Sequence, residues 1–96
     1  MRKIKLTLSE RVEIPVGAVV ELPVAENVNV KYGFDTENYA VFYLRKSLAL
    51  KGVIQLVHTP FPSGYFGKPT IVVKNDYVAP IELNQGDELG ELWYFN

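Results

Sequence analysis

Ile4, Leu6 and Leu8 alternate with Lys5 and Thr7, the period-two pattern of a strand with one buried face. Ser9-Glu10 turns it. Val12-Glu13-Ile14 reads as a second short strand, stopped by Pro15 and bent at Gly17. Ala18 to Leu22 is apolar enough to predict a third strand buried on both faces, closed by Pro23. Val28 and Val30 alternate with Asn27, Asn29 and Lys31 and predict a weak strand, and Gly33 to Asn38 a polar loop. Tyr39 to Leu44 is a run of strong β-formers. Val53 to Val57 reads as another apolar strand. Thr59 to Gly67 reads as irregular, because its two prolines lack donors and its two glycines permit positive φ. Thr70 to Val73, Ala79 to Leu83 and Leu89 to Phe95 complete the strands. Asn75-Asp76 and Asn84-Gln85-Gly86-Asp87 are the turns between them.

One stretch breaks this pattern. In Arg45-Lys46-Ser47-Leu48-Ala49-Leu50-Lys51-Gly52 the spacing of Leu48 and Leu50 around Ala49 suits a single tight helical turn. Arg45, Lys46 and Ser47 stand at its start, where free backbone N–H groups point outward. Two readings are open there: a solvated charged corner between strands, or an anion site. Roughly eight or nine short strands with no long amphipathic helix predict one all-β domain over residues 1–96, a sandwich or a barrel-like sandwich.

Composition narrows the function classes. The chain has 96 residues, 48% of them hydrophobic, and a formal charge of −1. That is material for one core, with some to spare for a subunit interface. The scattered cations form no basic stripe, so a nucleic-acid polymer is not an expected partner. Without cysteine there is no disulfide framework or thiolate metal site, which fits a cytoplasmic protein. No apolar run reaches the ~20 residues of a membrane span, and Met1 to Leu6 lack the apolar core of a signal peptide.

The second half resembles the trimeric dUTPase and dCTP deaminase superfamily. Arg45 to Gly52 is similar to the family's Arg-Ser-Ser/Gly-Leu-Ala signature. Gly64-Tyr65-Phe66-Gly67 is similar to its third motif. Pro80-Ile81-Glu82-Leu83-Asn84-Gln85-Gly86-Asp87-Glu88-Leu89-Gly90-Glu91-Leu92 is similar to the stretch that ends in its fourth. The three occur in order, at matching separations, over about residues 40–95. Glu13-Ile14-Pro15-Val16-Gly17 more loosely resembles an upstream turn. The resemblance implies a distorted jelly roll of the β-clip type and a homotrimer with nucleotide pockets between subunits. It implies ancestral contacts to a deoxynucleotide from Arg45, Lys46, Ser47, Tyr65, Gly67 and Glu91.

Departures from the family pattern bear on chemistry. Pro62 stands where the resemblance expects the Asp that orients water, a role worth about 10²–10⁴ in rate. Gly64 replaces the second Asp of that motif, and Val72 falls where deaminases carry a Glu. Lys46 replaces a Ser, and Glu91 replaces a Gln and would repel a triphosphate. The first motif has no counterpart before Glu13, nor the Gly-rich arm up to Asn96. No catalytic residue and no resident metal or cofactor is therefore expected, with Mg²⁺ entering only beside a bound nucleotide. The expected function is a trimeric binding, regulatory or structural module that has lost catalysis. One alternative keeps dUTP binding or pyrophosphatase activity with rearranged residues, with Lys46 holding phosphate and Asp87 or Glu91 recruiting Mg²⁺. A small coat or scaffold protein is the other.

Other polar groups have two readings each. Asp87, Glu88 and Glu91 form either a hard-cation site or a solvated hairpin end. Asp35 and Glu37 lie in the polar loop, facing solvent or a cation. His58 is a lone base beside Thr59 or a strand-end histidine with a satisfied hydrogen bond. Ser47 and Ser63 have no His–Asp partner at a triad's spacing. Trp93, Tyr94 and Phe95 are consecutive and cannot share one core, so at least one is exposed or meets another subunit.

Overall fold

A computed structural model describes residues 2–31 and 38–95; the expected loop positions 33–37, with Asp35 and Glu37, lie outside the described residues. The described chain is mostly β. In order it forms β1 (Arg2–Thr7), β2 (Val12–Ile14), β3 (Val19–Leu22), β4 (Val28–Asn29), β5 (Tyr39–Leu44), α1 (Lys46–Leu50), β6 (Val53–Gln55), β7 (Phe66–Gly67), β8 (Ile71–Asn75), β9 (Ile81–Leu83) and β10 (Glu88–Phe95). All pairings are antiparallel. β1-β10-β5 and β3-β8-β6 are three-stranded sheets, β2-β9 and β4-β7 are two-stranded ribbons, and none closes on itself. One apolar cluster joins them, with Leu6, Ile14, Leu22, Val28, Val73, Leu83 and Leu92 at its centre.

β10 shows how alternation builds the layers. Leu92 is buried and Tyr94 packs on the core, while Glu91, Trp93 and Phe95 take the opposite face. Alternation fails at Leu89-Gly90, which are both buried. There β1 pairs Leu6 with Gly90 and Thr7 with Glu88, so Leu89 is the extra residue of a β-bulge. Gly90 is required by close approach: a Cβ there would strike the Tyr43 carbonyl and come within 2.9 Å of the Phe42 ring.

Several expectations need correction. β3 is an edge strand, and Val19 is 57% exposed, so it is not buried on both faces. β6 ends at Gln55, although the Leu56 N–H still donates to the Val72 carbonyl, and Ile54, Leu56 and Val57 are exposed. The stretch 59–67 is not wholly irregular. Phe61 bridges Ala40, and Phe66–Gly67 pairs with Val28–Asn29. β8 runs on through Asn75, whose side chain then makes the turn by accepting from the Tyr77 N–H at 2.7 Å. The Asn84–Asp87 turn forms as the residues predict: the Asp87 N–H donates to the Asn84 carbonyl, and the Asp87 carboxylate accepts from the Asn84 N–H at 2.8 Å.

Candidate functional site

The basic corner is built by the end of β5. Alternate residues of this strand face β10, so the Arg45 N–H donates to the Leu89 carbonyl at 2.8 Å. Arg45 is still extended, with φ −61° and ψ 132°, and the next residue turns into α1. The Arg45 carbonyl accepts from Leu48 and Ala49, closing the first turn. Leu48 anchors this helix in the core, while Ala49 and Leu50 face outward. Gly52 ends it at φ +100°, packed so tightly that a Cβ would lie 2.8 Å from that of Tyr77. The helix start has no side-chain cap. Among the described residues, the backbone N–H groups of Lys46 and Ser47 have no partner, and both side chains are exposed.

Arg45 is not a free cation. Its guanidinium lies 3.3 Å from Glu88, whose other carboxylate oxygen is 3.7 Å from Lys5. Exposed pairs of this kind stabilise by about 0–1 kcal/mol, so an incoming anion can compete for the guanidinium. Sequence reasoning missed Glu88 in this role. Its position depends on the register that sets Gly90 opposite Leu44, which local pattern does not reveal.

The remaining candidates sit elsewhere. Glu91 lies on the outer face of β10, opposite Tyr43, and pairs with Lys3 at 3.5 Å. Asp87 is committed to its turn and Glu88 to two cations. Among the described residues, no group of three His, Cys, Asp or Glu side chains is placed to hold a metal ion. Tyr65 packs edge-on against Phe61 at 4.9 Å and donates its hydroxyl to the Lys68 carbonyl at 2.6 Å. Gly67 has φ +128° with open space around it. Phe61 pairs with Ala40 at the start of β5, whereas Arg45 follows its end. Five residues of strand, about 17 Å, separate the two groups within one chain.

No protein-family model matches the chain, and no curated protein matches it either. The chemistry therefore has to be read from the residues in place. Among the described residues, the turn around Tyr65 offers no acid to handle a proton. Pro62 uses its carbonyl to accept from the Tyr65 N–H at 3.0 Å, and Gly64 donates to the Val30 carbonyl. Val72 lies half-buried in β8, opposite Glu21. His58 is exposed and, among the described residues, makes no hydrogen bond, contrary to the satisfied strand-end histidine expected. Ser63 donates to the Lys31 carbonyl at 3.2 Å. The basic corner can accept an oxyanion through two amides, an ammonium and a hydroxyl; the carboxylate beside it among the described residues, Glu88, is already held by Arg45 and Lys5.

Proposed function

We propose that this chain is a dUTPase-superfamily β domain of the jelly-roll, β-clip type. In this reading it assembles as a homotrimer in the cytoplasm and serves as a binding, regulatory or structural module without diphosphatase or deaminase chemistry. The observation that carries the reading is the state of the third-motif turn. Pro62 and Gly64 stand where two carboxylates are needed, and both are used only to fold the loop through their backbones. A proline side chain neither accepts a proton nor orients water. Assembly is supported by the outer face of β1-β10-β5, where Tyr43, exposed in the single chain, meets Trp93 edge-on at 5.9 Å. It is also supported by the separation of Tyr65 from Arg45, since a pocket using both needs a second copy. Purified protein is expected to release no pyrophosphate from dUTP with or without Mg²⁺, and to sediment at three times its 10.9 kDa. Turnover abolished by Arg45→Ala would overturn the loss of activity.

A second reading, residual dUTP binding or pyrophosphatase activity with rearranged site residues, is favoured by the open amides of Lys46 and Ser47. It predicts thermal stabilisation by dUTP, dUMP or dCTP, with Mg²⁺ bridging phosphate, of about 2.7 kcal/mol at a hundredfold excess over Kd. No shift with any of them removes it. Light scattering separates a discrete trimer from the larger shells that a coat or scaffold role requires.

A further inference from the structure

At the other end of β5 from Arg45, a cavity of about 390 Å³ opens between the ends of β1, β4 and β10. Its size falls within the range of small-molecule sites. Two cations line it, Arg2 and Lys31, and among the described residues no carboxylate does. Elsewhere Lys3, Lys5, Arg11 and Arg45 each face an acid. Arg2 and Lys31 face none among the described residues.

The rest of the wall suits a flat ring with a polar rim. The Arg2 guanidinium lies over the Tyr94 ring, 4.1 Å from its centroid, which uses its face and leaves its N–H edges open. The Tyr94 hydroxyl accepts from the Asn29 N–H at 3.4 Å and keeps its own proton to donate. The Asn29 side-chain amide has no partner among the described residues. Tyr39 and Phe95 line the same cavity, stacked within 14° of parallel, and Tyr39 is 37% exposed.

We propose that this cavity binds a small aromatic anion, with a phosphate or carboxylate between Arg2 and Lys31 and a planar ring along the aromatic wall that Tyr94, Tyr39 and Phe95 supply. The site is distinct from the basic corner, since Tyr39 and Arg45 are separated by the whole of β5, about 20 Å. It stands independently of the function proposed above. A pocket whose charges among the described residues are both positive concentrates anions, and a guanidinium already oriented by a ring loses little freedom on pairing.

The test is NMR titration of the full chain with phenyl phosphate and with benzoate, using phenol and inorganic phosphate as controls. Saturable shifts at Arg2, Asn29, Lys31 and Tyr94 are expected with one or both aromatic anions, and comparison of the two identifies the head group. Arg2→Gln and Lys31→Gln should each weaken binding about tenfold, the scale of one charge-assisted hydrogen bond. Arg11→Gln, at an exposed ion pair outside the cavity, should leave binding unchanged. Both substituted side chains are exposed, so unchanged spectral dispersion verifies that the variants fold. The proposal fails if neither aromatic anion saturates these shifts at millimolar concentration. It also fails if phenol or inorganic phosphate binds as tightly, or if the Arg2 and Lys31 variants bind like the parent.

Discussion

Asn75 is the sharpest place to test the packing logic of this fold. It is the only fully buried polar residue among those described, at 0% exposure. Its amide nitrogen donates to the Ile14 and Ala79 carbonyls, both at 2.9 Å, and its oxygen accepts from the Tyr77 N–H at 2.7 Å. One side chain therefore ties β2, the end of β8 and the approach to β9. Asn75→Ala removes three hydrogen bonds at about 0.5–1.5 kcal/mol each, so about 3 kcal/mol is expected. For a domain of this size that is a fall in Tm of about 10–20 °C, a large share of a stability of about 5–15 kcal/mol. Asn75→Asp separates hydrogen bonding from packing. One carboxylate oxygen still accepts from Tyr77, but the other replaces the donor and faces two carbonyl oxygens. Only the protonated form can donate there, so the folded-state pKa rises above the unfolded value of about 3.9. Between those two values the folded state binds more protons, and stability falls as pH rises. The deficit of Asn75→Asp relative to the parent should therefore be smaller near pH 4 than at pH 7. Urea unfolding followed by the fluorescence of Trp93, the single tryptophan, measures both variants. An Asn75→Ala loss below about 0.5 kcal/mol, or a pH-independent Asn75→Asp deficit, would refute the reasoning.

Three further outcomes follow from the geometry. Gly90→Ala drives a methyl into the Tyr43 carbonyl and the Phe42 ring at the centre of a sheet, and should cost about 1–3 kcal/mol in a thermal melt. Arg11→Gln should raise the Glu82 carboxyl pKa, since the Arg11 hydrogen bond at 2.9 Å, and then its charge, hold it below the usual carboxylate range. Because the folded value lies below the unfolded one, the pair contributes only above the unfolded pKa and is lost as pH falls through the folded one; NMR titration of the Glu82 carboxyl reads the shift directly. Tyr43→Glu places a charge on the outer face of β5, where Tyr43 is 52% exposed, and should dissociate the proposed trimer in sedimentation without unfolding the chain.

What the sequence reveals here divides by range. Tyr39 to Leu44 reads as a strand and is one, because β-branched and aromatic residues fit a pleated surface wherever it lies. The Asn84–Asp87 turn and the single helical turn after Arg45 are equally local, set by Asn, Gly and the spacing of Leu48. The aromatic run 93–95 also divides as alternation requires, with Tyr94 packed on the core and Trp93 and Phe95 on the other face. The exposure of Val19 is not local, since Val19 is apolar whether its strand is central or at an edge. The Leu89 bulge is invisible for the same reason: it exists because of the register between β1 and β10. Phe61 and Phe66–Gly67 pair with strands far away in sequence, and proline and glycine nearby hide them. At the candidate site, the helical turn with Arg45, Lys46 and Ser47 exposed at its start was legible, whereas the hold of Glu88 on Arg45 was not.

The backbone gives a further argument for assembly that no motif supplies. On β5, Ala40 exchanges both hydrogen bonds with Phe61, while the Arg45 N–H points to β10. By alternation, the N–H and C=O groups of Phe42 and Leu44 lie on the outer edge, where no further strand pairs with them among the described residues. On β6, Gly52 and Leu56 bond toward β8, which turns Val53 and Gln55 toward its own free edge. Both edges border one groove of about 600 Å³, lined by Val41, Tyr43, Ala49, Ile54 and His58. Phe42 and Val53 are 6% and 1% exposed, so these backbones sit against buried side chains. Open edges next to apolar surface invite strand pairing, and natural folds blunt them with charge, proline or cover. The lining named here carries no fixed charge and no proline. A second copy seated along this groove would satisfy the edges and cover Tyr43 at the same time, so the proposed assembly draws support from the sheets as well as from the family resemblance.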